Sequence, residues 1–227
     1  MEARRKCDPE LGQLVSEHLE SLGLETPMTQ VRKNYDSETA IESIKGNMTE
    51  IMTSLGLDLK DDSLQDTPKR VAQMFVNEIF WGLDYDRFPK CTKIENKMNY
   101  KGSFVLERNI NVQSYCEHHF IVIDGVASVA YLPNKYVLGL SKLNRIVQFF
   151  SKRPQVQERL TEQIRAAIAF VAQTEDVAVQ IDGAHFCVKS RGIQDLRSTT
   201  ATFSASGVFS EGSQLQEFLA GCRSLMA

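Results

Sequence analysis

The apolar period of this chain switches between helical and alternating in long blocks, and the blocks limit the folds open to it. Up to Gly82 apolar residues recur at spacings of three and four, whereas from residue 103 they alternate with polar or small ones. Ile41, Ile44, Met48, Ile51, Met52 and Leu55 form one helical face that starts at Ser37 and stops at Gly56. Thr67-Pro68 sets a capping residue before a first-turn proline, and Val71, Met74, Phe75 and Ile79 supply that helix's buried stripe. With a further helix over 9–22, three helices are expected ahead of the first strand. Residues 103–114 and 120–132 then read as antiparallel strands, with Asp124-Gly125 as a hairpin turn or bulge. Helices are expected again over 141–150 and 154–173, interrupted at 151–153. Strands follow over 176–190 and 198–209, and a closing helix runs through Leu215, Phe218, Leu219 and Cys222. Helices grouped with helices and strands with strands give an α+β fold and exclude alternating βαβ.

At 227 residues the chain holds one large domain or two small ones. The expected division is a helix and polar arm over 1–36 and a main domain over 37–227. Lys and Arg total 26 against 29 Asp and Glu, a net charge of −3 that offers no long-range attraction to nucleic acid. Any anion that binds must meet a local cluster of bases. No stretch reaches the ~18 consecutive apolar residues of a membrane span, and no apolar core follows the charges of MEARRKCDPE, so a cytoplasmic protein is expected. Five widely spaced cysteines make a poor disulfide framework in such a chain. Reduced thiols leave metal binding open.

Three of the four histidines and two of the five cysteines fall in two short segments, Cys116-Glu117-His118-His119 and His185-Phe186-Cys187. Each of these residues alone is most simply a small core thiol or a polar strand end; their clustering argues otherwise. Cys-x-x-His spacing lets Cys116 and His119 turn toward one ion, thiolate and imidazole both being good zinc ligands. Read as a strand, residues 185–189 project His185 and Cys187 to one face and Phe186 and Val188 to the other. Cys187 then becomes a third ligand with His185 beside it. Three protein ligands leave a position for water, whose pKa zinc lowers to about 7, while a fourth from His118 or His185 would make the site structural. Histidines not spent on the metal suit proton transfer near neutral pH. Cys7, Cys91 and Cys222 have no histidine neighbours and read as packing or surface thiols.

A second constellation is basic. Gly139-Leu140-Ser141-Lys142 opens a helix with Ser141 as its cap, and Lys142 in the first turn opposes the helix macrodipole. A bound anion would relieve that mismatch. Arg145 lies on the same helical face, and Arg191 follows Cys187 by four residues. Together these groups could hold a phosphate chain, although a solvated basic face is the simpler reading of the helix alone and no Walker-type glycine loop is present. Glu158, in the first turns of the next helix, serves the dipole by position. Its carboxylate can also accept two parallel hydrogen bonds from an amidine-like edge such as guanine N1–H and its exocyclic amine.

Three runs together resemble GTP cyclohydrolase I: Ser114-Tyr115-Cys116-Glu117-His118-His119, the segment from Ser151-Lys152-Arg153-Pro154 through Gln157-Glu158-Arg159-Leu160-Thr161, and His185-Phe186-Cys187 with Arg191-Gly192. The resemblance extends from about Asp36 to the carboxyl terminus and includes Thr67-Pro68-Lys69-Arg70. It implies a tunnelling fold (T-fold), an antiparallel sheet with helices packed on one face, whose subunits join through their sheets into a homodecamer of two pentameric rings. By the same resemblance Cys116, His119 and Cys187 are ligands of Zn2+, and His118 and His185 flank the reacting purine. Glu158 anchors guanine, and Ser141, Lys142, Arg145, Arg191 and Arg70 handle the triphosphate in sites shared between neighbouring subunits. The implied reaction turns GTP and water into 7,8-dihydroneopterin triphosphate and formate, the entry to folate or tetrahydrobiopterin synthesis. Two other readings compete on sequence: a T-fold nitrile reductase, which uses a cysteine nucleophile and a nicotinamide without zinc, and a non-catalytic, zinc-stabilised nucleotide-binding scaffold.

Overall fold

The computed structural model describes residues 6–29, 36–100 and 102–223. Contacts divide the chain into two units, one of Thr26–Trp81 and one of Met1–Glu25 with Gly82–Ala227. Residues 30–35 of the expected arm lie outside the described residues.

Helices α2 (Ser37–Ser54) and α3 (Thr67–Met74) pack on each other in the 26–81 unit. Asp36 caps α2 by accepting the Thr39 N–H at 2.9 Å. The Thr67-Pro68 start is present, but Asp66 holds the cap position, Thr67 is the first helical residue, and no side chain caps the helix. Beyond Met74 the chain continues as a π turn over Phe75–Ile79.

The second unit is built on a five-stranded sheet of order β5 (Pro154–Gln155), β2 (Val105–Cys116), β3 (Val122–Tyr131), β6 (Val177–His185), β7 (Thr200–Ala205). Every neighbouring pair is antiparallel except β2 with β5. Two cross-strand rows show what covers each face. Val129, Val179 and Ser204 lie side by side, and Ser204 Oγ accepts from Arg165 of α5 (Gln157–Ala172) at 2.8 Å. Helices α4 (Leu140–Ser151) and α5 cover this face, and Leu143, Ile146, Val147, Leu160, Ile164 and Ile168 are fully buried with Val177, Val179 and Ile181. Each such side chain contributes about 1.5–3 kcal/mol of burial. The adjacent row, Leu106, Ala130, Ala178 and Ala205, points to the opposite face, where one end is closed by Phe209 and by Phe218 of α7 (Gly212–Arg223). The mixed α+β architecture is that of the T-fold. Helix α1 (Pro9–Ser21) lies on α5, with Val15 and Leu19 fully buried and His18 stacked on Phe170 at 4.8 Å. A two-stranded ribbon of β1 (Lys93–Glu95) and β4 (Tyr136–Leu138) stands apart from the main sheet.

Asp124-Gly125 is not a turn: it lies inside β3, opposite Gln113 and Val112 on one side and Ala184 and Gly183 on the other. The β2–β3 connection instead spans residues 117–121, and the bulge is in β2 at Asn109, whose φ is 56°. Glycine is needed at 125 for space, since a Cβ there would stand 2.2 Å from the Asp182 carbonyl oxygen. Gly125→Val should therefore force β3 from β6 and lower stability by about 1–3 kcal/mol, read as a lower urea midpoint; an unchanged midpoint would refute the close-approach argument.

Candidate functional site

Cys116 is the last residue of β2, and the turn behind it is tight. The Cys116 carbonyl accepts from Phe120 N–H at 2.8 Å and from His119 N–H at 3.3 Å, while Cys116 N–H donates to Ile121 at 2.8 Å. Phe120 takes the left-handed conformation, φ 53°, to close it. Folding back in this way sets His118 Nδ1 and His119 Nδ1 each 3.7 Å from Cys116 Sγ.

Cys187 arrives from the far side of β3, and not as expected. The strand ends at His185, and residues 186–189 form a single helical turn, α6 (Phe186–Lys189), closed by Ser190 N–H and Oγ on the Phe186 carbonyl at 2.8 and 2.6 Å. His185 and Cys187 are thus not two residues of one strand face. The turn still delivers the thiol: ligand atoms of Cys116, His119 and Cys187 all lie within 4.8 Å of one another, with Cys116 buried, Cys187 half-buried and His119 exposed. Neither His118 nor His185 belongs to that group. Two sulfurs and one imidazole are a donor set that suits a borderline-soft divalent ion. Burial, reinforced by the neighbouring Cys116, pushes the Cys187 thiol above its ordinary value, and Arg191 opposes the shift. Arg191 Nη1 also donates to His119 Nε2 at 3.2 Å.

Helix α5 begins at Gln157, not at 154, because Pro154 and Gln155 pair with Tyr115 and Cys116 as β5. Its first three residues divide between two segments and solvent. Gln157 is buried and meets His185, Glu158 is exposed, and Arg159 makes a two-pronged ion pair with Glu117 at 2.7 and 3.2 Å. The hydrogen bond from Arg159 holds the Glu117 carboxyl below the usual carboxylate range. Burial draws the His185 imidazole below its ordinary value, and the Glu158 charge opposes it. Gln157, Glu117, Arg159 and the fully buried Arg153 lie within the runs that carry the resemblance, but no local sequence pattern assigns them a role. Arg153 lies among the rings of Tyr85, Phe149 and Phe150 and donates to the Gly82 carbonyl, so it braces the break between α4 and α5.

Cys116, His118, His119, Glu158, His185, Cys187 and Arg191 therefore share one end of the sheet. Ser141, Lys142 and Arg145 do not. They sit at the start of α4, near β2's opening residues, where Asn144 Nδ2 donates to Glu107 at 3.2 Å. The end of α4 meets the other end of β2, with Ser114 Oγ donating to the Arg153 carbonyl at 3.5 Å. From Ser141 and Arg145 to Ser151, the last residue of α4, the helix runs ten and six residues, about 15 and 9 Å. Ser141 is not the cap; Gly139 is, and no side chain bonds the helix start. Arg70 lies in the 26–81 unit, exposed, 3.6 Å from Asp66.

Lys142 and Arg145 act on Cys91, whose thiol burial nonetheless pushes up to about 11 from an ordinary 9.0. The folded chain keeps this proton where the unfolded chain releases it, so the contribution to stability is lost as pH rises from about 9 toward 11. At pH near 8 Cys91 should alkylate with iodoacetamide more slowly than in the urea-unfolded chain, scored by peptide mass spectrometry. Equal rates would show the thiol to be open.

The sequence profile of GTP cyclohydrolase I matches residues 44–223. GTP cyclohydrolase 1 of Klebsiella pneumoniae subsp. pneumoniae is 56% identical over 211 residues, covering 92% of this chain and 95% of the relative. The proteins of the same name from Enterobacter sp. and Erwinia tasmaniensis are 55% and 54% identical, with the same coverage of 92% and 95%.

Proposed function

The chain belongs to the GTP cyclohydrolase I family, and from that premise we propose that it converts GTP and water to 7,8-dihydroneopterin triphosphate and formate, feeding folate or tetrahydrobiopterin synthesis. The observation that carries this reading is a Cys116–His119–Cys187 group within 4.8 Å that leaves His118 and His185 outside it. We assign Zn2+ to that group on its two thiols and one imidazole. When bound, zinc acidifies water and polarises the bond under attack.

The chain's own groups supply the rest. Glu158, exposed at the start of α5, accepts the guanine N1–H and exocyclic amine on its two oxygens and so fixes which purine is presented. His118 and His185 exchange protons at their ring nitrogens as water adds to C8, the imidazole ring opens and C8 departs as formate. Ribose then rearranges and closes onto the freed amines. Arg191, beside His119, meets the triphosphate. Ser141, Lys142 and Arg145, at the remote end of α4, serve the triphosphate bound at a neighbouring copy's metal site, and Arg70 joins them. Such a division suits a homodecamer with shared sites. A cytoplasmic location agrees with five unbridged cysteines, and no helix among the described residues is long and apolar enough to cross a membrane. Neither the nitrile reductase nor the non-catalytic scaffold draws support from the family profile or the relatives.

Zinc-loaded protein given GTP should release formate and yield a pterin that fluoresces after oxidation. Absence of both products would overturn the assignment.

A further inference from the structure

His185 Nε2 lies 2.8 Å from Gln157 Oε1. An imidazole nitrogen can donate or accept, so this contact alone does not say where the ring proton sits. The other end of the Gln157 amide does. Its Nε2 lies 3.0 Å from the Ile181 carbonyl oxygen, 2.9 Å from that of Thr200 and 3.0 Å from Thr202 Oγ1. Carbonyl oxygens only accept, so the amide NH2 must face β6 and β7. Turning the amide over would set its oxygen against two carbonyl oxygens in a site where Gln157 is 1% exposed, and each buried group left unsatisfied costs about 1–3 kcal/mol. Oε1 therefore faces His185, and since it can only accept, the hydrogen between them belongs to His185.

The surroundings are shaped for this contact. A Cβ on Gly183 would stand 2.4 Å from Gln157 Oε1, so the glycine makes the room the amide occupies. Thr161 Oγ1 bonds both the Gln157 carbonyl at 2.8 Å and Thr202 Oγ1 at 2.6 Å, tying the residue to α5 and β7 together.

We propose that Gln157 is a positioning residue that holds neutral His185 as its Nε2–H tautomer, leaving Nδ1 as the only ring atom able to take a proton. The consequence for turnover rests on the proton-transfer role given to His185 above; the tautomer itself does not. With Glu158 turned to solvent and Arg159 paired to Glu117, one helical turn sets the register of His185, of the guanine-facing carboxylate and of the Cys-Glu-His-His turn.

The test is nitrogen NMR on the full metal-loaded chain labelled at its four histidine rings, at mildly alkaline pH, with His185 assigned by its loss in His185→Asn. A one-bond N–H coupling at Nε2 and an acceptor-type shift at Nδ1 are expected. In parallel, Gly183→Ala pushes the amide from His185 without removing any hydrogen-bonding side chain. It should lower kcat by about 10- to 100-fold, the scale of a misplacement near 1 Å, with KM for GTP and bound metal unchanged; Gln157→Leu should do at least as much. An Nδ1–H tautomer in the unmodified protein, or an undiminished kcat in folded Gly183→Ala, overturns the proposal. Should both variants fail to fold, the unmodified protein's tautomer still decides. A protein with the expected tautomer but no turnover of GTP would sink the functional reading and leave the Gln157 assignment standing.

Discussion

Cys187→Ala is expected to lose metal and turnover together while the fold survives. Cys187 is half-buried on a single helical turn, outside the apolar layer between the sheet and α4 and α5. Truncation there should move global stability by no more than about 0.5 kcal/mol, as for other substitutions away from the core. Metal affinity should fall by more than the ~100-fold at the top of the range for losing an outer-shell partner, because a donor atom itself is gone. Metal content measured beside formate release, with circular dichroism melting as the control for folding, checks this. Chelating the unmodified protein should give the same pattern, activity lost and the melting curve largely kept, whereas a structural ion would take the fold with it. Normal metal content or normal turnover in the variant would remove Cys187 from the ligand set.

Much of this site is legible in sequence because its donors come in short runs. Cys116 and His119 lie three apart, and a tight turn brings them together whatever surrounds it. What the sequence hides is the path by which distant segments meet. Residues 185–189 alternate in a way that fits a strand, yet over so few residues alternation cannot be told from one helical turn. Asp124-Gly125 has the composition of a turn, but the glycine answers to a carbonyl 57 residues later (182 − 125), which no local pattern contains. The same holds for Gln157 with Thr200 and Thr202, and for Glu117 with Arg159. Ser141, Lys142 and Arg145 share α4 as their spacing predicts, whereas Arg191 lies on His119; the distance of the three from the cysteines is set by which end of α4 meets which end of β2, a tertiary fact.

His118→Ala should separate what Cys187→Ala joins. Its ring nitrogen comes as near to Cys116 Sγ as that of His119, 3.7 Å in each case, so distance to one sulfur does not distinguish ligand from proton donor. Distance to the second sulfur does: His119 falls within 4.8 Å of both cysteines, and His118 lies outside the group they make. A residue beside the centre but not of it can exchange protons without holding the ion. Metal content should therefore stay at its normal level, KM for GTP should change little, and kcat should fall by about 10²–10⁴-fold, the range for a positioned acid or base. Loss of ring opening, followed by purine absorbance, should account for the whole deficit. His118→Gln tests the point further, since it keeps a hydrogen-bonding side chain near Cys116 but cannot carry a proton at neutral pH, so it should be as slow as the alanine variant. Metal lost from His118→Ala would instead make the histidine a fourth ligand and close the position that the proposed chemistry requires.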